Sequence, residues 1–412
     1  MPIVVKPASS GRIESLTGVR MLAAGAVFLS HATLIDSVPE STQYFMAAGY
    51  NGVTLFFVLS GFVLAWNYSD RLASPTPKAV WSFFVARFAR VYPLYLVVLL
   101  IVVARPLAHG SVDGSIWAHI FAVQSWDVSV SQAFSYNGPG WSIGVEFFLY
   151  ACFPLVIFVL ARFGRRMLLW GLVVAVALVF LVTLWFVVTG RGELPSADPQ
   201  SAHRWLYRTP LSRLGDFTVG AITALIIIRG RDVPAWAARS AQLVGALGFV
   251  AVMAYRPLIY TAWSWDAAYL IPTLLLIWGL AVGPETRFSR VLASRPMVLL
   301  GESSFAFYLL HSFVIQSIPI TGITTVRGWL LVVAVQFFVA VLVSIGAHIA
   351  VERPAQRWLR SILDPSRKAS QPLVSDVVTV EALSAPDATV EALEVVQLPA
   401  EDTDVREVPR LR

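Results

Sequence analysis

Two ionisable side chains lie within the first long apolar stretch of the chain, at Arg20 and His31. On an α-helix their separation corresponds to about three turns, so they share one face and lie about 16 Å apart. Charged groups are costly at membrane depth and usually face a cavity or a bundle interior. The pair therefore indicates either a functional site or a snorkelling arginine with a histidine capped by a neighbouring carbonyl.

A hydroxyl, a carboxylate and a phenol share a second helix face, because Ser142, Glu146 and Tyr150 recur at every fourth residue just after Trp141. Glu146 is predicted to lie at about the depth of His31. An imidazole beside a carboxylate is a recurrent arrangement for an oriented general base. We therefore expect Glu146 to contact His31.

Two arginines one turn apart, Arg87 and Arg90, precede the third apolar stretch. Their guanidinium groups would form a fork suited to phosphates. The alternative is that they only follow the bias of basic residues toward the cytoplasmic side of a membrane. Ser60 and Gly61, near the middle of the second stretch, permit close helix approach.

Asp216 is predicted to lie in the same outer layer as His31, where catalysis and pairing with Arg213 are equally open interpretations. Three further ionisable residues in or near the last two apolar stretches are interpreted as structural, namely Glu302, His311 and His348. The single cysteine, Cys152, can form no internal disulfide.

Long apolar stretches must position these side chains. Hydrophobic residues make up 57% of the chain and charged residues 14%, against roughly half and a quarter in soluble domains. Stretches of about twenty apolar residues fit a hydrocarbon core about 30 Å thick. We predict an all-α polytopic membrane bundle of about ten transmembrane helices. The predicted spans are 16–35, 49–68, 91–107, 141–160, 167–188, 211–228, 241–255, 266–282, 297–318 and 329–351.

The basic residues predict the orientation of the bundle. Most Lys and Arg fall in the loops on the side that holds both termini, which is therefore expected to be cytoplasmic. The basic residues on the other side are Arg105, Arg191, Arg204, Arg208, Arg256 and Arg327. The apolar stretch 116–126 is too short to span and is expected to lie on the interface or to fold back.

The predicted organisation has three parts: a cytoplasmic segment 1–15, a transmembrane domain 16–360 and an acidic, disordered cytoplasmic tail 361–412. We expect the first apolar stretch to be retained and not to be cleaved as a signal peptide. Within the tail the sequence TVEAL occurs at both 379–383 and 389–393.

Several classes of function are disfavoured. The formal net charge of +6 is explained by basic cytoplasmic loops, so we expect no nucleic-acid partner. Motifs for a metal cluster, a phosphate-binding glycine loop or a Gly-x-Ser-x-Gly nucleophile do not occur. The pattern favours phosphate-binding arginines on the cytoplasmic side and an imidazole with a carboxylate near the outer side.

Four motifs together resemble the acyltransferase-3 family of membrane acyltransferases: RMLAAGAVFLSH from Arg20, FFVLSGF from Phe56, RFARVYP from Arg87 and WSIGVE from Trp141. The later segments RLGDF, GESSFAFYLLH and VERP are also similar to that family, so the resemblance covers residues 13 to about 360. Small departures are Ile143, where Leu is commoner in the family, and Asp216, where Glu is frequent.

The resemblance implies transfer of an acyl group, often acetyl, from acyl-CoA to a hydroxyl. The implied acceptor is a carbohydrate, a glycolipid or a glycosylated product such as a macrolide. By motif position His31, Glu146 and Arg20 are catalytic, and Arg87 and Arg90 bind the donor phosphates. We assign Ser60 and Gly61 to donor binding, and we assign four residues to the acceptor side or to structure: Trp141, Ser142, Tyr150 and Asp216.

The expected protein is a multi-pass protein of a bacterial cytoplasmic membrane that uses acyl-CoA as co-substrate, with no bound cofactor or metal. Some relatives carry a fused esterase-like domain after the membrane unit, whereas only the acidic tail follows here. Transfer is therefore expected to be completed by the membrane domain or handed to a separate soluble protein. Direct transfer with His31 as base and transfer through an acyl-His31 intermediate are both open. The rival interpretation is a secondary transporter whose buried Arg, His and Glu form a substrate or proton path.

Overall fold

The computed structural model describes residues 13–109, 114–230, 233–283 and 285–364. The acidic tail, including both TVEAL copies, lies outside the described residues from position 365 onward, as do positions 1–12. Within the described ranges the regular secondary structure is helical and contains no β-strand. The predicted all-α class is confirmed.

The described chain folds into short and long helices. In chain order the α-helices are α1 (Glu14–His31), α2 (Glu40–Ala47), α3 (Gly52–Leu72), α4 (Pro77–His109), α5 (Ile116–Ile120), α6 (Val130–Ala133), α7 (Trp141–Leu160), α8 (Arg165–Val188), α9 (Pro210–Ile228), α10 (Ala235–Ala254), α11 (Ala267–Val282), α12 (Arg287–Leu292), α13 (Arg295–Ser317), α14 (Val326–Ala347) and α15 (Arg353–Leu363). Two π-helical turns, His203–Arg208 and His348–Glu352, precede α9 and join α14 to α15.

The apolar helices agree with a multi-pass membrane bundle. Within the described ranges, 8 helical segments are long and apolar enough to cross a membrane, and each coincides with a predicted span. The two other predicted spans coincide with α1, of 18 residues, and α11, of 16 residues. The protein is therefore a polytopic helical membrane protein, while the count of ten and the orientation stay predictions.

Some boundaries differ from the predicted ones. α4 begins at Pro77 rather than near position 91, so Arg87 and Arg90 lie within a helix instead of before it. Their side chains are partly buried there, and each has an internal partner: Glu352 for Arg90 and the Tyr68 hydroxyl for Arg87. At the other end of the chain, α15 runs to Leu363, past the predicted domain boundary at 360. The stretch 116–126 does not span: it forms the short α5 and a 3-10 turn.

Small residues bring the helices at the centre of the bundle close together. Gly61 of α3 faces the carbonyl oxygen of Phe217 on α9, and Gly220 faces that of Val58. A Cβ atom at either position would overlap the opposing backbone. α1 approaches α13 in the same way at Gly301. α1 packs against both α3 and α13.

Candidate active site

A charged cavity lies near the beginning of α1. Its volume is about 400 Å³, and its lining includes Arg20, Arg87, Arg90, Glu302 and His348. We call it the arginine-side cavity. Three arginines from α1 and α4 thus share one pocket, and an anion is the ligand that such a cluster suits best.

Internal partners hold Arg87 and Arg90 in place. Arg90 forms an ion pair with the buried carboxylate of Glu352, and its Nη2 donates to the main-chain oxygen of Glu302 at 3.3 Å. Arg87 Nη2 donates to the hydroxyl of Tyr68 at 3.2 Å. Any phosphate that binds Arg90 must therefore compete with Glu352, which the π-helical turn after α14 supplies.

Two small cavities continue from the arginine-side cavity along α1. The first, of about 70 Å³, shares Arg20, Arg87 and Arg90 with it and adds Glu146. The second, of about 40 Å³, shares Arg20 and Glu146 with the first and adds Tyr308. Polar groups thus mark a path from the arginines toward the far end of α1.

The structure does not bring Glu146 next to His31. Its principal electrostatic partner is Arg20, with Tyr150 and Arg90 also close, and the two small cavities are where it is exposed. Glu146 does not line the cavity that contains His31, so the predicted contact is not found among the described residues. Glu146 therefore belongs to the arginine end of the site.

A larger cavity lies at the end of α1. Its volume is about 570 Å³, and its lining includes Ser30, His31, Trp141, Tyr207 and Tyr308. We call it the histidine-side cavity. Tyr308 also lines the second small cavity, so it stands between the two ends of the site.

Main-chain geometry orients His31. Its Nδ1 lies 2.9 Å from the carbonyl oxygen of Val27, one turn earlier in α1. Because a carbonyl only accepts, Nδ1 carries the proton and Nε2 has the free lone pair. The tautomer that serves as a base at Nε2 is thus set by the backbone of α1, without a carboxylate.

A second histidine supports the first. The rings of His31 and His311 are perpendicular, with centroids 5.0 Å apart. His311 is fully buried, and its Nδ1 lies 2.8 Å from the carbonyl oxygen of Tyr308. From the sequence His311 was predicted to be structural, and in the structure its ring packs against that of His31.

Asp216 belongs to a buried ion cluster beside the histidine-side cavity. Its carboxylate lies 2.9 Å from Nη1 of Arg213, and Asp266 lies 3.0 Å from the same nitrogen. Arg213 also donates to the carbonyl oxygens of Tyr207 at 2.7 Å and Trp265 at 2.8 Å. Of the two open interpretations of Asp216, the geometry favours pairing with Arg213.

The remaining predicted residues divide between the two ends. Trp141 is buried and lines the histidine-side cavity. Ser60 and Tyr150 line the first small cavity, together with the three arginines and Glu146. Ser142 lines the second small cavity. Gly61 packs against α9, so its contribution is helix packing.

Some candidate functional residues were not found from the sequence. Glu352 was missed, although its place in the VERP segment at the end of the last span was a signal. Tyr260 and Trp265 were missed because they come from a loop whose sequence carries no chemical pattern. Within the described ranges, no three His, Cys, Asp or Glu side chains converge as a metal site.

Comparisons with known proteins identify a family and several relatives of this chain. The family described as "Acyltransferase domain", acyltransferase-3, matches residues 13–349. The acyltransferase MdmB of Streptomyces mycarofaciens is 33% identical over 74% of this chain and 79% of its own. A putative O-acetyltransferase of Staphylococcus aureus is 24% identical over 74% of this chain and 51% of its own.

A peptidoglycan O-acetyltransferase, OatA of Listeria monocytogenes, is 23% identical over 80% of this chain and 54% of its own. The chain thus spans about half the length of the staphylococcal and listerial relatives. No solved structure matches it. The family match covers most of the chain, including α1 with Arg20 and His31. The chain therefore belongs to the acyltransferase-3 family and is a multi-pass membrane O-acyltransferase.

Proposed function

We propose that the protein transfers an acyl group, acetyl in the simplest case, from acyl-CoA to a hydroxyl of a carbohydrate, a glycolipid or a glycosylated natural product. The observation that carries the proposal is the series of cavities along α1, which joins the three arginines to His31. A long donor with phosphates at one end and a thioester at the other suits such a path. The membrane is a bacterial cytoplasmic membrane, with the arginine side facing the cytoplasm.

The donor phosphates bind in the arginine-side cavity, where Arg87 and Arg90 exchange internal partners for the phosphate oxygens. The pantetheine arm then follows the small cavities toward Tyr308. At about 30 Å³ per water, cavities of about 70 and 40 Å³ hold only a few water molecules. Entry of the arm therefore requires Phe56 and Phe305, which line both small cavities, to move.

His31 acts as the base at the far end of this path. Its Nε2 takes the proton of the acceptor hydroxyl as the oxygen attacks the thioester carbon. The C–O bond forms, the C–S bond breaks, and the leaving thiolate recovers the proton from Nε2. The hydrogen bond from Nδ1 to Val27 holds the ring in place throughout.

An acyl-His31 intermediate is the alternative chemical route, because the same Nε2 lone pair can attack the thioester. The two routes differ before any acceptor is added. Rapid quenching of the purified protein with radiolabelled acetyl-CoA would leave label on His31 only in the two-step route. Direct transfer predicts that no label is retained until the acceptor is present.

The variant His31→Ala tests the function itself. We expect transfer to fall by about 10²- to 10⁴-fold, the usual contribution of a general base. Mass spectrometry of glycans, glycolipids and small metabolites from cells with the intact and the variant gene measures the loss of acyl groups. Ser37→Ala is the matched control, since Ser37 is exposed beyond α1 and does not line the histidine-side cavity. Unchanged acylation with His31→Ala would refute the proposal.

The same experiment addresses the remaining alternatives. Activity that follows an ion gradient and does not need acyl-CoA would favour the transporter interpretation. Acylation in cells that is lost from the purified membrane protein would indicate a separate soluble partner that completes the transfer.

A further inference from the structure

Four aromatic side chains form one wall of the histidine-side cavity: Tyr50, Tyr207, Tyr260 and Trp265. We call them the aromatic wall. The rings of Tyr50 and Tyr260 are stacked, with centroids 5.7 Å apart and planes 9° from parallel. Trp265 touches the other three at centroid distances of 5.1, 5.4 and 5.8 Å. These rings present a continuous aromatic surface in the cavity that contains His31.

The described lining of this cavity contains no Asp, Glu, Lys or Arg. Besides His31, the lining contains one further histidine, His203, which stacks on Tyr207 with centroids 5.5 Å apart. Burial, reinforced by the nearby charge of Arg208, lowers the pKa of His203 to about 4. His203 is therefore neutral at physiological pH. Neither His203 nor the aromatic wall presents a charged side chain to a bound molecule.

Buried polar contacts make the wall rigid. Arg213 binds the carbonyl oxygens of Tyr207 and Trp265, and the Arg213 side chain is fully enclosed. The hydroxyls of Tyr50 and Ser264 lie 2.8 Å apart. The aromatic surface is thus preorganised and does not need a ligand to assemble it.

Tyr260 differs from the other members of the wall. Its side chain is 55% exposed, whereas that of Trp265 is 8% exposed. Its backbone has φ of +58°, in the left-handed region that a bulky residue adopts only with strain. A strained backbone thus holds an exposed ring at the mouth of the cavity, in stacking contact with Tyr50.

We propose that the histidine-side cavity binds the acceptor as an uncharged, hydroxylated ring that packs against Tyr260 at the mouth of the aromatic wall. This inference rests on the proposed transfer to a hydroxyl. Flat aromatic faces cover the C–H face of a saturated ring, and tyrosine hydroxyls can bond to its edge. A cavity of about 570 Å³ lies within the usual range for small-molecule sites. A carboxylate would be desolvated there without a partner, so acidic acceptors are rejected.

Two matched glycosides test the charge preference. Octyl glucoside and octyl glucuronide share a ring and a tail and differ by one carboxylate. Each is added to the purified protein in a maltoside-free amphipol, and the thermal unfolding midpoint is measured. We expect only the glucoside to raise the midpoint. Equal protection by both compounds, or by neither, would overturn the inference.

Variants of Tyr260 test the position. Tyr260→Ala should weaken glucoside protection about five- to tenfold in concentration, the usual effect of one aromatic contact, whereas Tyr260→Phe should retain most of it. Tyr255→Ala is the control, because Tyr255 is 58% exposed and lies outside the cavity lining. Loss of protection in the control variant, or none in Tyr260→Ala, would contradict the assigned site.

The backbone strain at Tyr260 makes it possible to distinguish a ligand-binding role of this residue from a structural one. Glycine adopts positive φ without strain, so Tyr260→Gly should keep or raise the unfolding midpoint while it weakens glucoside binding. A lower midpoint would mean that Tyr260 is there for stability. Acetyl-CoA protection is measured in every variant, and it should not change with Tyr260. If acetyl-CoA fails to bind the unaltered protein, the proposed function fails while the glucoside result still judges the acceptor site.

Discussion

The two large cavities along α1 differ in almost every physical property. The arginine-side cavity is lined by charged groups with ionic partners: Arg353 pairs with Glu302 in the lining, and Arg90 pairs with the buried Glu352 behind it. The described lining of the histidine-side cavity is uncharged and largely aromatic. The groups that lie between them are Arg20, Glu146 and Tyr308.

The difference explains how one helical bundle can bind two chemically unlike substrates in separate cavities. Charges interact strongly where the dielectric constant is low, so a cluster of arginines must be separated from a site that has to accept a neutral ring. The separation is along a single helix: one end of α1 carries Arg20 and the other carries His31. The two regions therefore do not compete for the same ligand.

The largest expected effect is a loss of stability that is confined to the histidine side of the site. Asp216→Ala removes one partner of a buried arginine, and such losses cost about 3–5 kcal/mol. We expect a lower unfolding midpoint and a weaker acceptor site, because Arg213 holds two carbonyls of the aromatic wall. Chemical denaturation in micelles measures the stability, with the exposed Asp70→Ala as control. Equal stability of the two variants would show that the cluster does not hold the wall.

A comparable loss on the arginine side should be confined to the donor. Arg90→Ala removes a charge-assisted contact, and we expect the KM for acetyl-CoA to rise about 10- to 100-fold with little change for the acceptor. Arg90→Lys should recover only part, because lysine lacks the bidentate fork. Steady-state kinetics with each substrate varied in turn measures both constants. Exposed Arg71→Ala is the control, and an equal rise in acceptor KM would contradict the division.

The third test concerns positioning of the base. His311→Ala removes the ring that packs on His31, and a loosened base should lower kcat about tenfold with the substrate KM values little changed. His311→Phe should restore most of the rate, since it keeps an aromatic ring in the same space. If His311→Phe is as slow as His311→Ala, a nitrogen of His311 takes part in the chemistry and the positioning role is wrong.

The smallest expected effect depends on pH. The folded-state pKa of His203 is lowered by burial to about 4, below its unfolded value of about 6.5. The unfolded state therefore binds more protons between these values, and stability falls as pH decreases through this window. From pH 6.5 to 5.5 the loss is about 1 kcal/mol from this residue. Denaturation of the intact protein and of His203→Gln at both pH values measures it; an identical pH dependence would exclude His203 as the cause.

The spans were predictable because membrane insertion constrains sequence directly. Hydrocarbon requires about twenty apolar residues with all backbone groups bonded inside the helix, and the predicted span 141–160 agrees residue for residue with α7. The predicted start of α4 was wrong for a related reason. Arg87 and Arg90 are typical of residues outside a membrane, and only the structure shows that they line a cavity with internal partners.

The site was partly predictable. The spacing of Arg20 and His31 along one helix fixes their separation, and the structure places them at opposite ends of the cavity series. The partner of His31 could not be found in this way. The side chain that lies beside His31, Glu146 or His311, depends on the positions of α7 and α13 along the axis of α1. The periodicity of apolar residues within one helix carries no information on these relative positions.

Local composition and the period of single helices are enough to predict the class of the protein and its apolar helices. They also predict the face shared by Arg20 and His31 and the arginine pair. Which of these residues are in contact depends on the tertiary packing. It paired Glu146 with Arg20, gave Arg90 the partner Glu352 and His31 the support of His311, and assembled the aromatic wall. The physical reason is that these contacts join helices and loops far apart in the chain, and close packing between backbones sets their registry.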